Sequence, residues 1–155
     1  MAALFVQVEI ERVTSTINRF LTLLDGMKRL DEQIAPLHPH SQGFLTPNQL
    51  LVLAILMDSP IEQRTKAMVS ASVRATLLHL PLKVRSLRHT AAVRQVLRTL
   101  QRKCLITTRR SRGNWPSIHN PTRAVVKILR GHLENTESHG ERLSSRDGSV
   151  LEHGH

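Results

Sequence analysis

The chain has 155 residues, enough for one domain with its own core, and its single cysteine, Cys104, excludes an internal disulfide framework and points to a reducing compartment such as a bacterial cytosol. Twenty-two Lys and Arg against 12 Asp and Glu give +10, but the excess is local: residues 1–62 and 134–155 each sum to −3, while 63–133 carries +16 without one acidic side chain. Like charges repel one another in a compact state, so such a segment is expected to meet a polyanion, nucleic acid before an anionic membrane surface, because its cations fall in several short elements rather than along one amphipathic helix.

At the N-terminus, residues 1–8 hold no basic group and Glu9 and Glu11 follow at once, so no secretory leader is expected. Val6, Ile10, Val13, Ile17, Phe20, Leu24 and Met27 recur at steps of four and three, which predicts a long amphipathic helix. This apolar line serves either the chain's own core or a dimer seam. A charge at Ile17 should disrupt it, whereas one at Thr16, a position off the line, should be mild. Gly26 either ends this helix or weakens it.

After a loop with Pro36, Pro39 and Gly43, the run Thr46-Pro47-Asn48-Gln49 reads as an N-cap, a proline at the first helical position and a capping-box glutamine, with Leu45 and Leu50 as a hydrophobic staple. The helix it opens is apolar nearly all round and belongs at the centre of the core. Its longest apolar run, 50–57, falls well short of the ~20 residues of a membrane span. Ser59-Pro60-Ile61-Glu62 repeats the start signal and predicts a third helix that ends before Pro81.

Thr90 is the expected cap of a helix over 91–103. At 100° per residue Val93, Val96, Leu97 and Leu100 gather within about a 100° arc, and Arg94, Gln95, Arg98, Gln101 and Arg102 take the other side. Cys104 to Thr108 and Trp115 to His119 read as two strands of a hairpin whose tip holds Arg109, Arg110 and Arg112. Cys104, opening the first strand, is expected to be a small buried hydrophobe. Asn120-Pro121 reads as the cap of a last helix with Ala124, Val125, Ile128, Leu129 and Leu133 on its apolar side, and 135–155 as a polar, disordered tail.

The predicted class is therefore mainly α: a winged helix-turn-helix with a long N-terminal dimerisation helix (1–35), a DNA-binding unit with a small hairpin wing (44–120) and a returning helix (121–134). The stretch Leu45-Thr46-Pro47-Asn48-Gln49-Leu50-Leu51-Val52-Leu53 resembles the L-T-x-x-Q-x-x-V-L opening of the MarR family of bacterial transcription regulators. Residues 93–106 are similar to that family's recognition helix running into the first wing strand, and Ile118-His119-Asn120-Pro121 to the segment that caps its returning helix. The resemblance implies a homodimer with intertwined terminal helices, two basic helices in successive major grooves and wing arginines in the flanking minor groove. Arg94, Gln95 and Arg98 are then expected on base edges, Thr90, Arg102 and Lys103 on phosphates, and Arg112 as the minor-groove probe, with Arg109 and Arg110 adding wing charge. The 32 residues between Pro60 and Val93 are more than the family spends there, so helix 61–80 is either an insertion or a second reader. An effector pocket would be in keeping with the family; the sequence does not display one.

Nine histidines, among them His38, His40, His153 and His155, lack a cysteine partner or a helical i, i+4 pairing, so no metal and no cofactor is expected. Catalytic parts are wanting too: there is no Gly-rich phosphate loop, no nucleophile elbow, and no carboxylate over 63–133. Three Phe, one Trp and no Tyr argue against single-stranded nucleic acid held by stacking. The reading is a sequence-specific, double-stranded-DNA-binding regulator in the cytoplasm. The alternative is a nucleoid or replication accessory protein that uses the same surface without reading bases.

Overall fold

A computed structural model describes residues 2–37, 45–80, 90–110, 113 and 116–136, without the side chains of 2–10 and Thr90. In chain order it contains α1 (Ala2–Asp25), α2 (Met27–Ile34) running into a 3-10 turn (Ala35–Leu37), α3 (Pro47–Asp58), a second 3-10 turn (Ile61–Gln63), α4 (Lys66–Leu77), α5 (Thr90–Arg102), strands β1 (Ile106–Arg109) and β2 (Ile118–Pro121), and α6 (123–136). The protein is thus mainly helical with one small antiparallel hairpin. No helix among the described residues is long and apolar enough to cross a membrane.

The core is built around α3. Thr46 caps it as the sequence predicts: its hydroxyl accepts from Gln49 N at 3.2 Å, the Gln49 side chain accepts from Thr46 N at 3.3 Å, and Pro47 stands at the first helical position, where its missing N–H costs nothing. Every residue from Gln49 to Leu56 is buried, and α1, α4, α5 and β2 all pack against this helix. Leu50, Leu51, Leu53 and Leu56 are wholly enclosed, each adding roughly 1.5–3 kcal/mol of transfer free energy.

The apolar line on α1 divides in two. The stripe that enters the core is Thr16, Phe20 and Leu23, continued on α2 by Leu30 and Ile34. Val13, Ile17, Leu24 and Met27 flank it and are half-buried, and the side chains of Val6 and Ile10 lie outside the described ones. Thr16 is therefore not off the line. It is 4% exposed, and its hydroxyl donates to Asp58 Oδ2 at 2.9 Å while Arg19 pairs with Asp58 Oδ1. Arg12 adds bonds of 2.9 Å to both Gln63 Oε1 and Ser59 Oγ, so two cations of α1 sit at the carbonyl end of α3, where the helix dipole favours them.

Gly26 stands between α1 and α2, its N–H shared between Thr22 O and Leu23 O and its carbonyl accepting from Leu30 N at 2.9 Å, and the place is kept for glycine by space. A Cβ there would run into the His132 ring of α6, and His132 Nε2 lies 3.3 Å from the Thr22 carbonyl oxygen.

The start signal at Ser59-Pro60 proves misleading. The Ser59 hydroxyl is spent on Ile55 O at 2.7 Å, so it closes α3 instead of opening a helix, and the residues that follow make only a 3-10 turn. Thr65 is the true cap of α4, its hydroxyl accepting from Met68 N at 3.3 Å. Likewise Asn120 and Pro121 lie in β2 rather than capping α6; Thr122 does so, accepting from Val125 N at 3.4 Å, and the helix continues through Asn135 and Thr136.

Candidate nucleic-acid interface

Along α5 the sequence divides as its periodicity requires. Val93, Leu97 and Leu100 are buried against α3 and α4, Val96 is half-buried, and Arg94, Gln95, Arg98, Gln101 and Arg102 are all exposed. Gln95, Arg98, Gln101 and Arg102 line one shallow groove on the outer side. Arg102 is steadied by a 3.3 Å bond from Nη2 to Thr99 Oγ1, whose own hydroxyl donates to Gln95 O at 3.0 Å. The side chain of Thr90, expected on a phosphate, lies outside the described ones.

Lys103 departs from its expected role. It lies seven residues after Val96, and so on the packed side of the helix, where it is buried and its ammonium donates to Gln49 Oε1 at 3.1 Å. Burial pushes this amine below the usual lysine range, with Asp31 acting in the other direction. Asp31 in turn accepts from Leu45 N at 2.6 Å. Lys103 therefore ties the end of α5 to the capping box of α3 and is not part of the exposed cationic set.

How α5 ends explains where the hairpin begins. Leu105 N donates to Leu100 O and Cys104 N to Gln101 O, both at 3.0 Å, with Cys104 at φ 60°: a Schellman termination with the apolar pair Leu100 and Leu105 buried beside it. Cys104 and Leu105 are thus consumed by the cap and β1 starts at Ile106; Cys104 is exposed, not buried. A cysteine in a left-handed site usually given to glycine is strained. Cys104→Gly is expected to raise stability by about 1 kcal/mol, read as a higher denaturation midpoint at unchanged m.

β1 and β2 pair antiparallel with Thr108 opposite His119 and Arg109 opposite Ile118. Thr65, just before α4, adds an isolated antiparallel bridge to Ile118, and His119 N donates to Arg64 O at 2.8 Å. Arg64, in the segment 61–80 that the sequence left as an insertion or a second reader, pins this junction: its guanidinium donates to Ser59 O and Asn120 Oδ1, each at 3.0 Å. His119 Nδ1 lies 3.0 Å from Thr108 Oγ1, and burial, aided by Lys66, holds its ring below the ordinary histidine range. Arg109 and Arg110 are exposed at the far end of β1, beside α5 in sequence; Arg112 and Trp115 lie outside the described residues.

The structure therefore groups Arg94, Gln95, Arg98 and Arg102 on one outward face and turns Lys103 away from it. Missed in the sequence were the three cations of α6, Arg123, Lys127 and Arg130, all exposed; their i, i+4, i+7 spacing was the available signal. Among the described residues no group of three His, Cys, Asp or Glu is placed to hold a metal ion. No family model matches the chain and no curated protein matches it, so the likeness to MarR regulators rests on the quoted motifs.

Proposed function

We propose that the protein is a sequence-specific, double-stranded-DNA-binding transcription regulator of winged-helix type that acts as a homodimer. The observation that carries this reading is α5: one side is locked into the core, and the other presents Arg94, Gln95, Arg98, Gln101 and Arg102 to solvent within a 71-residue stretch that has no carboxylate. Arginine can fork onto guanine O6 and N7, and glutamine onto adenine N6 and N7, so this face has the donors and acceptors that base reading needs. A helix of ordinary diameter fits the major groove.

The order α3, Thr65 bridge, α4, α5, β1, β2 supports the winged-helix assignment, because it sets the two-stranded hairpin, joined by the single Thr65 bridge, beside the polar helix. On that reading α4, short of Pro81 and packed on α3 and α5, is the helix preceding the reader and not an insertion. Support for the dimer comes from α1, where Ile17, Leu21 and Leu24 stay half-buried in the single chain and leave apolar surface for a second copy.

Binding to labelled duplex across a salt series, with particle mass measured in parallel, tests the proposal. The expected result is a dimer whose log K falls linearly with log salt, at a slope corresponding to on the order of 6–10 neutralised phosphates. An affinity indifferent to salt would remove nucleic acid from the account.

A further inference from the structure

α6 carries a second cationic surface that the reading of α5 leaves unused. Its packed side is Val125 and Leu129, both fully buried, and its outward side is Arg123, Lys127 and Arg130, all exposed. At 100° per residue these three fall within roughly a 60° sector, with rises of about 6 Å and 4.5 Å between successive members. Like charges at these spacings oppose helix formation, and among the described residues no carboxylate lies at ion-pair distance from any of them. Glu134 closes the line one turn beyond Arg130. Arg64 stands close by: burial first, and then the charge of Arg130, hold its guanidinium below the ordinary arginine range, against the opposing pull of Glu62.

The end of α5 and the start of α6 adjoin along the backbone. Thr122 N donates to Leu105 O at 3.0 Å, so Arg123 follows directly on the residues that close α5, whose last turn exposes Arg102. Of the possible polyanions, a duplex backbone fits best. It offers a charge every ~1.7 Å of axis, so a straight line of cations finds partners at any register. A protein partner would call for a large apolar or aromatic anchor; the outward sector of α6 holds none, and its flanks offer only the small Ala124 and the half-buried Val126.

We propose that the Arg123, Lys127 and Arg130 face of α6 contacts the phosphates of duplex flanking the segment read by α5. This rests on the duplex-binding reading of α5, and the test separates the two. The full chain and a variant combining Arg123→Gln, Lys127→Gln and Arg130→Gln are titrated with random-sequence duplex and with a duplex selected for tight binding, across a salt series. The variant is expected to keep the parent melting temperature and to lose about 0.9 of salt slope for each cation removed, nearly 3 per engaged protomer, weakening both duplexes by the same factor. A charge-keeping variant, Arg123→Lys with Arg130→Lys, is expected to retain the parent slope. If the glutamine variant binds as the parent does, or loses affinity for one sequence only, the α6 contact is wrong while α5 stands. If the parent chain shows no salt-dependent duplex binding, both fall.

Discussion

Thr16→Asp is expected to cost the fold on the order of 3 kcal/mol, enough to shift the denaturation midpoint well below that of the parent. Thr16 is 4% exposed and gives its hydroxyl proton to Asp58 Oδ2. Aspartate would replace that donor with an acceptor and set two carboxylates against each other in a buried place, where one must protonate or the helices must part. Arg19 cannot repair this alone, because its side chain is 51% exposed and already pairs with Asp58. Combining Thr16→Asp with Asp58→Asn should recover part of the loss, since the amide can donate to the new carboxylate. Ile17→Asp, at a half-buried position, should cost folding less and show instead as a lower particle mass. If Thr16→Asp were as stable as the parent, the docking of α1 on α3 would be wrong.

Arg98→Ala carries the largest expected effect on function. Arg98 lies at the middle of the outward arc of α5, one turn after Arg94, and is exposed. A bidentate guanidinium contact to a base typically contributes ~1–3 kcal/mol of discrimination, so its loss should relax preference at one base pair in each half-site by about 5- to 150-fold. Affinity for random duplex should fall far less, by the share of a single cation. No core contact is removed, and stability should stay within about 0.5 kcal/mol of the parent. Selection of bound sequences by the variant and the parent, compared position by position, reads the effect directly. An unchanged preference would mean that α5 is not the reader.

Elements whose signal is local were legible in the sequence. The capping box at Thr46 depends on residues three apart, and the two sides of α5 on one helical period, so both could be read without knowledge of the fold. Signals with two competing users were not. Ser59-Pro60 resembles a helix start, yet Ile55 O claims the hydroxyl; Asn120 resembles a cap, yet its side chain accepts from Arg64, 56 positions away in sequence. On α1, two interleaved lines run at the same steps of four and three, and only the placement of α3 decides that Thr16 and Leu23, rather than Ile17 and Leu24, are enclosed. Lys103 was misread for another reason. Its charge suggested phosphate, while its angular place beside Val96 already put it on the packed side, where Gln49 Oε1 receives its ammonium. On the candidate interface, the residues grouped on α5 were found; the α6 set was passed over although its spacing lay within one helix, and the groupings across elements, Arg64 with Arg130 and Thr65 with Ile118, had no local signal to read.

Sequence-specific recognition of duplex DNA is the central claim, and one competition experiment tests it most directly. Duplex recovered from genomic fragments by the full chain is set against random duplex of equal length at one physiological salt concentration. The account predicts a preference of ~10³ or more for the recovered sequence. Equal affinity for the two would contradict it, leaving a chain that holds the backbone without reading bases.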